Sequence, residues 1–376
     1  MNARRVLLLV FLLCMIAALP VTAQSSSPLV ALVNSSGQLI VSSADGSYRW
    51  IVTNPGQTLA GNFAWASNGS QIVFAVGSTL NSGSIARQNV TAIGQVPGSV
   101  ISLSPDGKYL FYQASSGAYS LQAIDGGSTT PLSLSNDQNA RYSGLWSSAA
   151  LLVAYWGYSG NSVLAVTDAS SAQTLIFDSG LSAPITPLAW LPKSTRLIFR
   201  DASGVLRLAD VSCLASNCGS NPLQNAAALA SADADIAADG TMLYFRSGTN
   251  ISALNLACAD SGNCANSAAV IAQNAEPQTA INVAGGTLVY TSFSANSADP
   301  HDRIVNTLDL SCVSNPSSCA PQQIVTQAVA GAVSPDGRYA VVDSPPNGLQ
   351  VLDLSSGAMT YLADEGANLA SAVWQS

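Results

Sequence analysis

Short runs in which apolar and polar residues alternate follow one another along the chain, each bounded by Gly, Asn, Asp or Ser. Such period-two runs read as half-buried β-strands. The runs repeat. Leu103-Ser-Pro-Asp-Gly-Lys-Tyr-Leu-Phe-Tyr112 and Val333-Ser-Pro-Asp-Gly-Arg-Tyr-Ala-Val-Val342 are nearly identical. Weaker copies start at Trp65 and Ile236, and degenerate ones at Trp146, Trp190 and Val283, the last reading Val283-Ala-Gly-Gly-Thr-Leu-Val-Tyr290. Trp374 anchors a final partial copy, so anchors at 65, 103, 146, 190, 236, 283, 333 and 374 recur every 38 to 50 residues.

Each unit has the same grammar. An apolar anchor strand leads into a tight turn, in which Pro presets φ and Gly accepts a positive φ: Asp106-Gly107, Asp239-Gly240 and Asp336-Gly337 are the clearest. A second strand follows, as in Tyr109–Gln113 or Leu197–Arg200. The third shares an ending, seen in Leu254-Asn-Leu-Ala-Cys258, Leu308-Asp-Leu-Ser-Cys312 and Leu352-Asp-Leu-Ser-Ser356. A fourth closes the unit, as in Thr174–Phe177, Gln323–Thr326 and Met359–Leu362. Four strands per unit of roughly 44 residues predict an all-β chain of propeller blades. Three strands, Leu29–Val33, Gln38–Ser42 and Tyr48–Thr53, precede the first anchor, and Ala370–Trp374 has nothing after it. Pairing these two ends completes a blade and closes the ring, which removes exposed sheet edges. Eight anchors predict eight blades; seven is the alternative if the region around Val283 or the short first blade forms no full sheet. Residues 24–376 then form a single domain.

The Ser-Pro-Asp-Gly-(Lys/Arg)-Tyr copies resemble the bacterial WD40-like repeat of TolB-type propellers. The resemblance implies the propeller fold over the whole mature chain and says little of function. The chain leaves no room for the separate N-terminal domain of TolB, whose part in envelope partner binding therefore does not carry over. It also has no Gly-x-Ser-x-Gly nucleophile motif of the kind found in propeller-containing peptidases.

The ends and the cysteines set an expected compartment. Arg4 and Arg5 precede an apolar run from Val6 to Leu19, and Pro20-Val-Thr-Ala23 places small residues before Gln24. This pattern predicts a secretory signal peptide over residues 1–23. The apolar run falls short of the ~20 residues that span a bilayer, so no membrane insertion is expected after its removal. Three tight cysteine pairs follow in the mature chain, and in an exported protein they predict the local disulfides Cys213–Cys218, Cys258–Cys264 and Cys312–Cys319. The expected location is periplasm, cell envelope or extracellular space.

Charge narrows the chemistry. The net charge is −8, with charged residues at 9% and His301 the one histidine. Loss of Arg4 and Arg5 with the leader takes −8 to −10. An acidic chain does not displace counterions from phosphates, so nucleic acid is excluded as a partner. Multi-histidine metal sites are excluded by composition, and neither a metal nor a cofactor is expected. The turn aspartates Asp106 and Asp336 could ligate calcium but are expected to accept backbone hydrogen bonds in their own turns, and the Asp233-Ala-Asp235 cluster with Asp239 lacks the regular spacing of a calcium loop.

Four anchors are tryptophans, Trp65, Trp146, Trp190 and Trp374. Leu, Ile or Val fills the same position elsewhere, so blade packing is expected in preference to a sugar-stacking ring. The disulfide loops follow the third strand of three consecutive blades, on the face that carries the Asp-Gly turns. They form either a preorganised partner surface or a shield against proteolysis. Glu276 and Glu365, the two glutamates, fall two blades apart in fourth-to-first connections, and His301 lies in the loop Ser292–Arg303, read as solvated; these loops share the opposite face. The expected protein is a monomeric, non-enzymatic binding or scaffold module with a protein or glycan partner. The alternative is a polysaccharide-active enzyme, a glycoside hydrolase or lyase, with Glu276, His301 and Glu365 at the channel mouth.

Overall fold

The computed structural model describes residues 27–375 apart from 67, 126, 128, 133–143, 160, 182, 234, 265–266, 278 and 294–301. Eight four-stranded antiparallel sheets form the ring. Numbered from the first anchor, blade 1 begins at Leu59–Trp65, blade 2 at Gly98–Leu103, blade 3 at Leu145–Trp146 and blade 4 at Thr186–Trp190. Blades 5, 6 and 7 begin at Ile236–Ala238, Asn282–Ala284 and Val329–Val333. Blade 8 joins the two ends of the chain: Asn368–Trp374 pairs with Leu29–Val33, which pairs in turn with Leu39–Ser43 and Arg49–Ile51. The degenerate copy at Val283 builds a complete sheet, so the count is eight and not seven.

Among the described residues the core is divided. Eight buried apolar clusters lie one at each blade junction, because every sheet turns an apolar face to both neighbours. The anchor tryptophans belong to these clusters and latch the blades together. Trp65 Nε1 donates to the Val373 carbonyl at 3.1 Å, Trp374 to Ala332 at 3.0 Å, Trp190 to Leu145 at 2.9 Å and Trp146 to Ser102 Oγ at 3.0 Å. Each bond runs to the inner strand of the preceding blade. With 5–9% exposure, these rings are packing groups and do not line a sugar platform.

The first-to-second turns hold themselves in shape. Asp106 and Asp336 each accept from a serine hydroxyl two residues before and from the backbone N–H two residues after. Gly107 and Gly337 sit at φ +67° and +72°, and Gly240 at +101°. Asp239 accepts from the backbone N–H of Thr241 and Met242.

Candidate functional site: a groove on the disulfide face

Three disulfides, Cys213–Cys218, Cys258–Cys264 and Cys312–Cys319, close the third-to-fourth connections of blades 4, 5 and 6. The loops do more than decorate the rim. In blade 4, Leu214 and Leu223 enter the cluster at the junction with blade 3, and Asn221 Nδ2 donates to the Ile176 carbonyl on blade 3's outer strand at 2.6 Å. In blade 5 the loop forms a short helix, Ala257–Ser261, which leans on blade 4's outer strand, and Asp260 pairs with Arg196 of blade 4 at 3.0 Å. In blade 6, Cys312, Val313 and Cys319 pack onto the junction with blade 5, and the turn Pro316–Ser318 meets blade 5's outer strand, Ala269–Ala272. Each loop is a clasp onto the blade before it.

Blade 7 has no such clasp. Its third-to-fourth connection is the short turn Leu354–Ala358, so the sequence of cross-linked loops stops at blade 6. A cavity of about 1040 Å³ opens there, spanning blades 5, 6 and 7. Gly285-Gly286, the first-to-second hairpin of blade 6, is part of its lining. This hairpin has two residues, whereas the equivalent turn of blade 7, Ser334–Arg338, has five. It is the shortest of the three first-to-second turns that border the cavity. The turns of blades 6 and 7 also touch backbone to backbone: a Cβ on Gly285 would come 2.3 Å from the Asp336 carbonyl, and one on Gly337 2.5 Å from that of Ala284. Side chains at these positions would push the turns apart.

The groove mixes polar and apolar lining in similar measure, with Met242, Val313 and Leu354 among its apolar residues. Asn255 and Ser267 of blade 5, Ser311 and Ser314 of the blade 6 clasp, and Ser355 of blade 7 line it, with Arg338 its exposed cation. Asp239 and Tyr244 stiffen the blade 5 side through a 3.0 Å bond from the tyrosine hydroxyl. Burial pushes the Asp239 carboxyl up, but bonds from the Met242 and Thr241 amides, the Thr241 hydroxyl and Tyr244 together bring it below its ordinary value. Burial first, and then the Asp239 charge, push the Tyr244 hydroxyl well above its ordinary value. Both groups thus keep fixed protonation states near neutral pH.

The opposite face holds the glutamates. Glu276 is buried and its Oε1 meets Arg303 Nη2 at 2.8 Å, while Oε2 has no hydrogen-bond partner. Arg303 opens the third strand of blade 6, so the stretch read as a solvated loop ends in an ion pair with the connection from blade 5 to blade 6. Glu365 is exposed. Asp343 stands between them in electrostatic terms: burial and then the Glu365 charge raise its carboxyl above the ordinary value, and Arg303 offsets part of the rise. A cavity of about 410 Å³ is lined by Asp302, Arg303, Gln327 and Asp343. His301 lies outside the described residues. Asp233 and Asp235 are held by Arg246, with Nη1 2.9 Å from Asp233 and Nε 3.0 Å from Asp235.

The groove was not among the sites expected from sequence. Its signal was the Val283 copy, the most degenerate repeat, sitting between a disulfide-bearing blade and the best-preserved one. Arg303 escaped because one arginine in a polar loop carries no mark of its distant partner.

Fold and groove together define an eight-bladed β-propeller with a groove of mixed polar and apolar lining across one sector of one face. No known family model matches the chain, and no curated protein sequence does. Solved structures do match in fold. The dihydro-heme d1 dehydrogenase NirN, in complex with DHE, gives a TM-score of 0.59 at 13% identity over 94% of this chain and 78% of that one. Dipeptidyl peptidase 4 of Porphyromonas gingivalis gives 0.57 at 11% identity, covering 93% and 61%. A eukaryotic initiation factor gives 0.55 at 11% identity, covering 93% and 99%. At these identities the likeness is one of architecture, and it is shared by enzymes and non-enzymes alike.

Proposed function

We propose that this chain is an exported, non-enzymatic binding propeller of the TolB-like type, which takes an extended segment of a partner protein in the groove over Gly285-Gly286. The observation that carries the reading is the groove's position at the end of the row of clasps, with one side braced by the Cys312–Cys319 cross-link. A braced rim lowers the ordering cost of binding. Export is supported by the leader-like N-terminus and by three disulfides, and among the described residues no helix is long and apolar enough to cross a membrane. The TolB-like assignment rests on the Ser-Pro-Asp-Gly-(Lys/Arg)-Tyr turns.

The test is selection of peptide binders from a displayed random library on the oxidised protein, followed by titration on the double variant Ser267→Trp, Ser355→Trp. Both serines line the groove and are exposed, so the indoles fill it without entering a core. Selected peptides are expected to lose at least about tenfold in affinity on the variant. Equal binding to both proteins would discard the groove.

The enzymatic reading has one observation in its favour, the Asp343 carboxyl in the lining of a cavity, raised by burial and then by the Glu365 charge. It predicts release of reducing ends or unsaturated sugars from an acidic or neutral polysaccharide, abolished by Glu365→Gln.

A further inference from the structure

The outer strand of every blade presents unpaired backbone groups, and most blades cover or shorten that edge. Asn221 and the blade 4 clasp cap blade 3, the short helix Ala257–Ser261 covers blade 4, and Pro316–Ser318 covers blade 5. On blade 7, Arg49 reaches from blade 8 to the Leu362 carbonyl and stacks on the Tyr361 ring at 5.3 Å. Blades 2 and 8 end in three-residue strands, Thr129–Pro131 and Arg49–Ile51. Blade 1 differs. Its outer strand, Asn89–Gln95, is seven residues long, carries no charge, and is exposed at every residue but Gly94.

A second observation, independent of edge length, concerns a recurrent bulge. In blades 1, 4, 5, 6 and 7 the outer strand skips one residue in register: Ile93, Leu229, Ile271, Ile324 and Leu362. All five are apolar, and the bulge turns them toward the next blade. Leu229 is 4% exposed, Ile271 4% and Leu362 0%. Ile93 is 40% exposed. It lines a cavity of about 420 Å³ on the flank of blade 1, with Gln71, Ser82 and Thr91. Ile324 is half-buried at the junction with blade 7, so of the five bulge residues Ile93 is the one left exposed.

The charges beside this edge point to what covers it. Arg87 lies in the turn before the strand. At the strand's far end, the Ile124 carbonyl of blade 2 stands 4.0 Å from where a Cβ on Gly94 would be, which brings the neighbouring Asp125 to that end. Both are exposed, and among the described residues neither has an ion-pair partner. An uncharged strand with a cation at one end and an anion at the other is complementary to itself in antiparallel register. Elsewhere a chain of net charge −8 repels its own copy.

We propose that blade 1 docks a second copy of this chain edge to edge. The strand Asn89–Gln95 pairs antiparallel with itself across a twofold axis, covering Ile93 on each side. Arg87 of one copy then meets Asp125 of the other, twice. The contact is small, and it gives a weak, reversible dimer.

The test is sedimentation equilibrium of the mature, oxidised protein and of Arg87→Asp and Asp125→Arg, with thermal melting as the folding control. Wild type is expected to dimerise with rising concentration. Each variant alone places like charges opposite one another twice, and its dissociation constant should rise at least about tenfold. An equimolar mixture of the two variants restores both attractions, so dimerisation should return in the mixture alone. Ala92→Lys, which sets two ammonium groups together at the strand centre, should abolish association without lowering the melting temperature. A wild type that stays monomeric throughout, variants that dimerise as wild type does, or a mixture that stays monomeric would each overturn the proposal.

Discussion

Removing the Cys312–Cys319 cross-link by a double change to alanine distinguishes a clasp from a surface ornament. In the chain-entropy description, closing a loop with a sequence separation of 7 stabilises the fold by roughly 2.5 kcal/mol. For a chain of this size the entropy of unfolding is roughly 0.7 kcal/mol/K, so the melting temperature should fall by only about 3 °C. The informative readout is local. The turn Pro316–Ser318 rests on the outer strand of the preceding blade, Ala269–Ala272, and Ile271 shares a buried cluster with Cys312, Val313 and Cys319. Loosening the clasp should therefore speed amide exchange in Ala269–Ala272, by as much as ~60-fold if the full loop term is lost there. Hydrogen–deuterium exchange with peptide-level mass spectrometry measures it directly. Faster exchange inside residues 312–319, with 269–272 unchanged, would refute the inter-blade role and return the loops to simple rim turns.

Three further outcomes follow from other parts of the structure. Asp343→Asn should raise the melting temperature at neutral pH: a carboxyl whose folded value lies above its unfolded value loses stability as pH rises between the two, so the gain should vanish below about pH 3.9, where both forms are protonated. Trp374→Phe removes the donor to the Ala332 carbonyl at the ring closure and should cost about 1–3 kcal/mol by chemical denaturation, with no comparable loss for the exposed neighbour Val373→Ala. Gly337→Ala forces a Cβ against the Ala284 carbonyl at a positive φ; it should destabilise by at least about 1–2 kcal/mol in a urea titration, whereas Gly117→Ala, also at positive φ but with open space around it, should cost less.

The fold was legible because it is built from local rules. Strand alternation and Asp-Gly turns are short-range, and they recur so often that one weak copy, such as Val283-Ala-Gly-Gly, is carried by its neighbours. The three cysteine pairs were legible for the same reason, since each lies within a few residues of its partner. The clasps were not. Leu214 and Leu223 look like ordinary loop residues until the blade 3 face that buries them is in place. The ion pair joins Glu276, in the connection between blades 5 and 6, to Arg303 on the third strand of blade 6, and nothing in either local sequence specifies the other. The groove was not legible either: a hairpin shortened to two glycines reads as a decayed repeat, and the residues that line the cavity with it come from three blades.

The most direct test of the groove is where a bound partner shields the surface. Exchange or radical footprinting of the protein with a selected peptide should show protection concentrated at Ser311–Ser314, Arg338 and Ser355, on the disulfide face. Protection concentrated instead at Gln327, Asp343 and Pro345-Pro346, on the opposite face, would contradict the account.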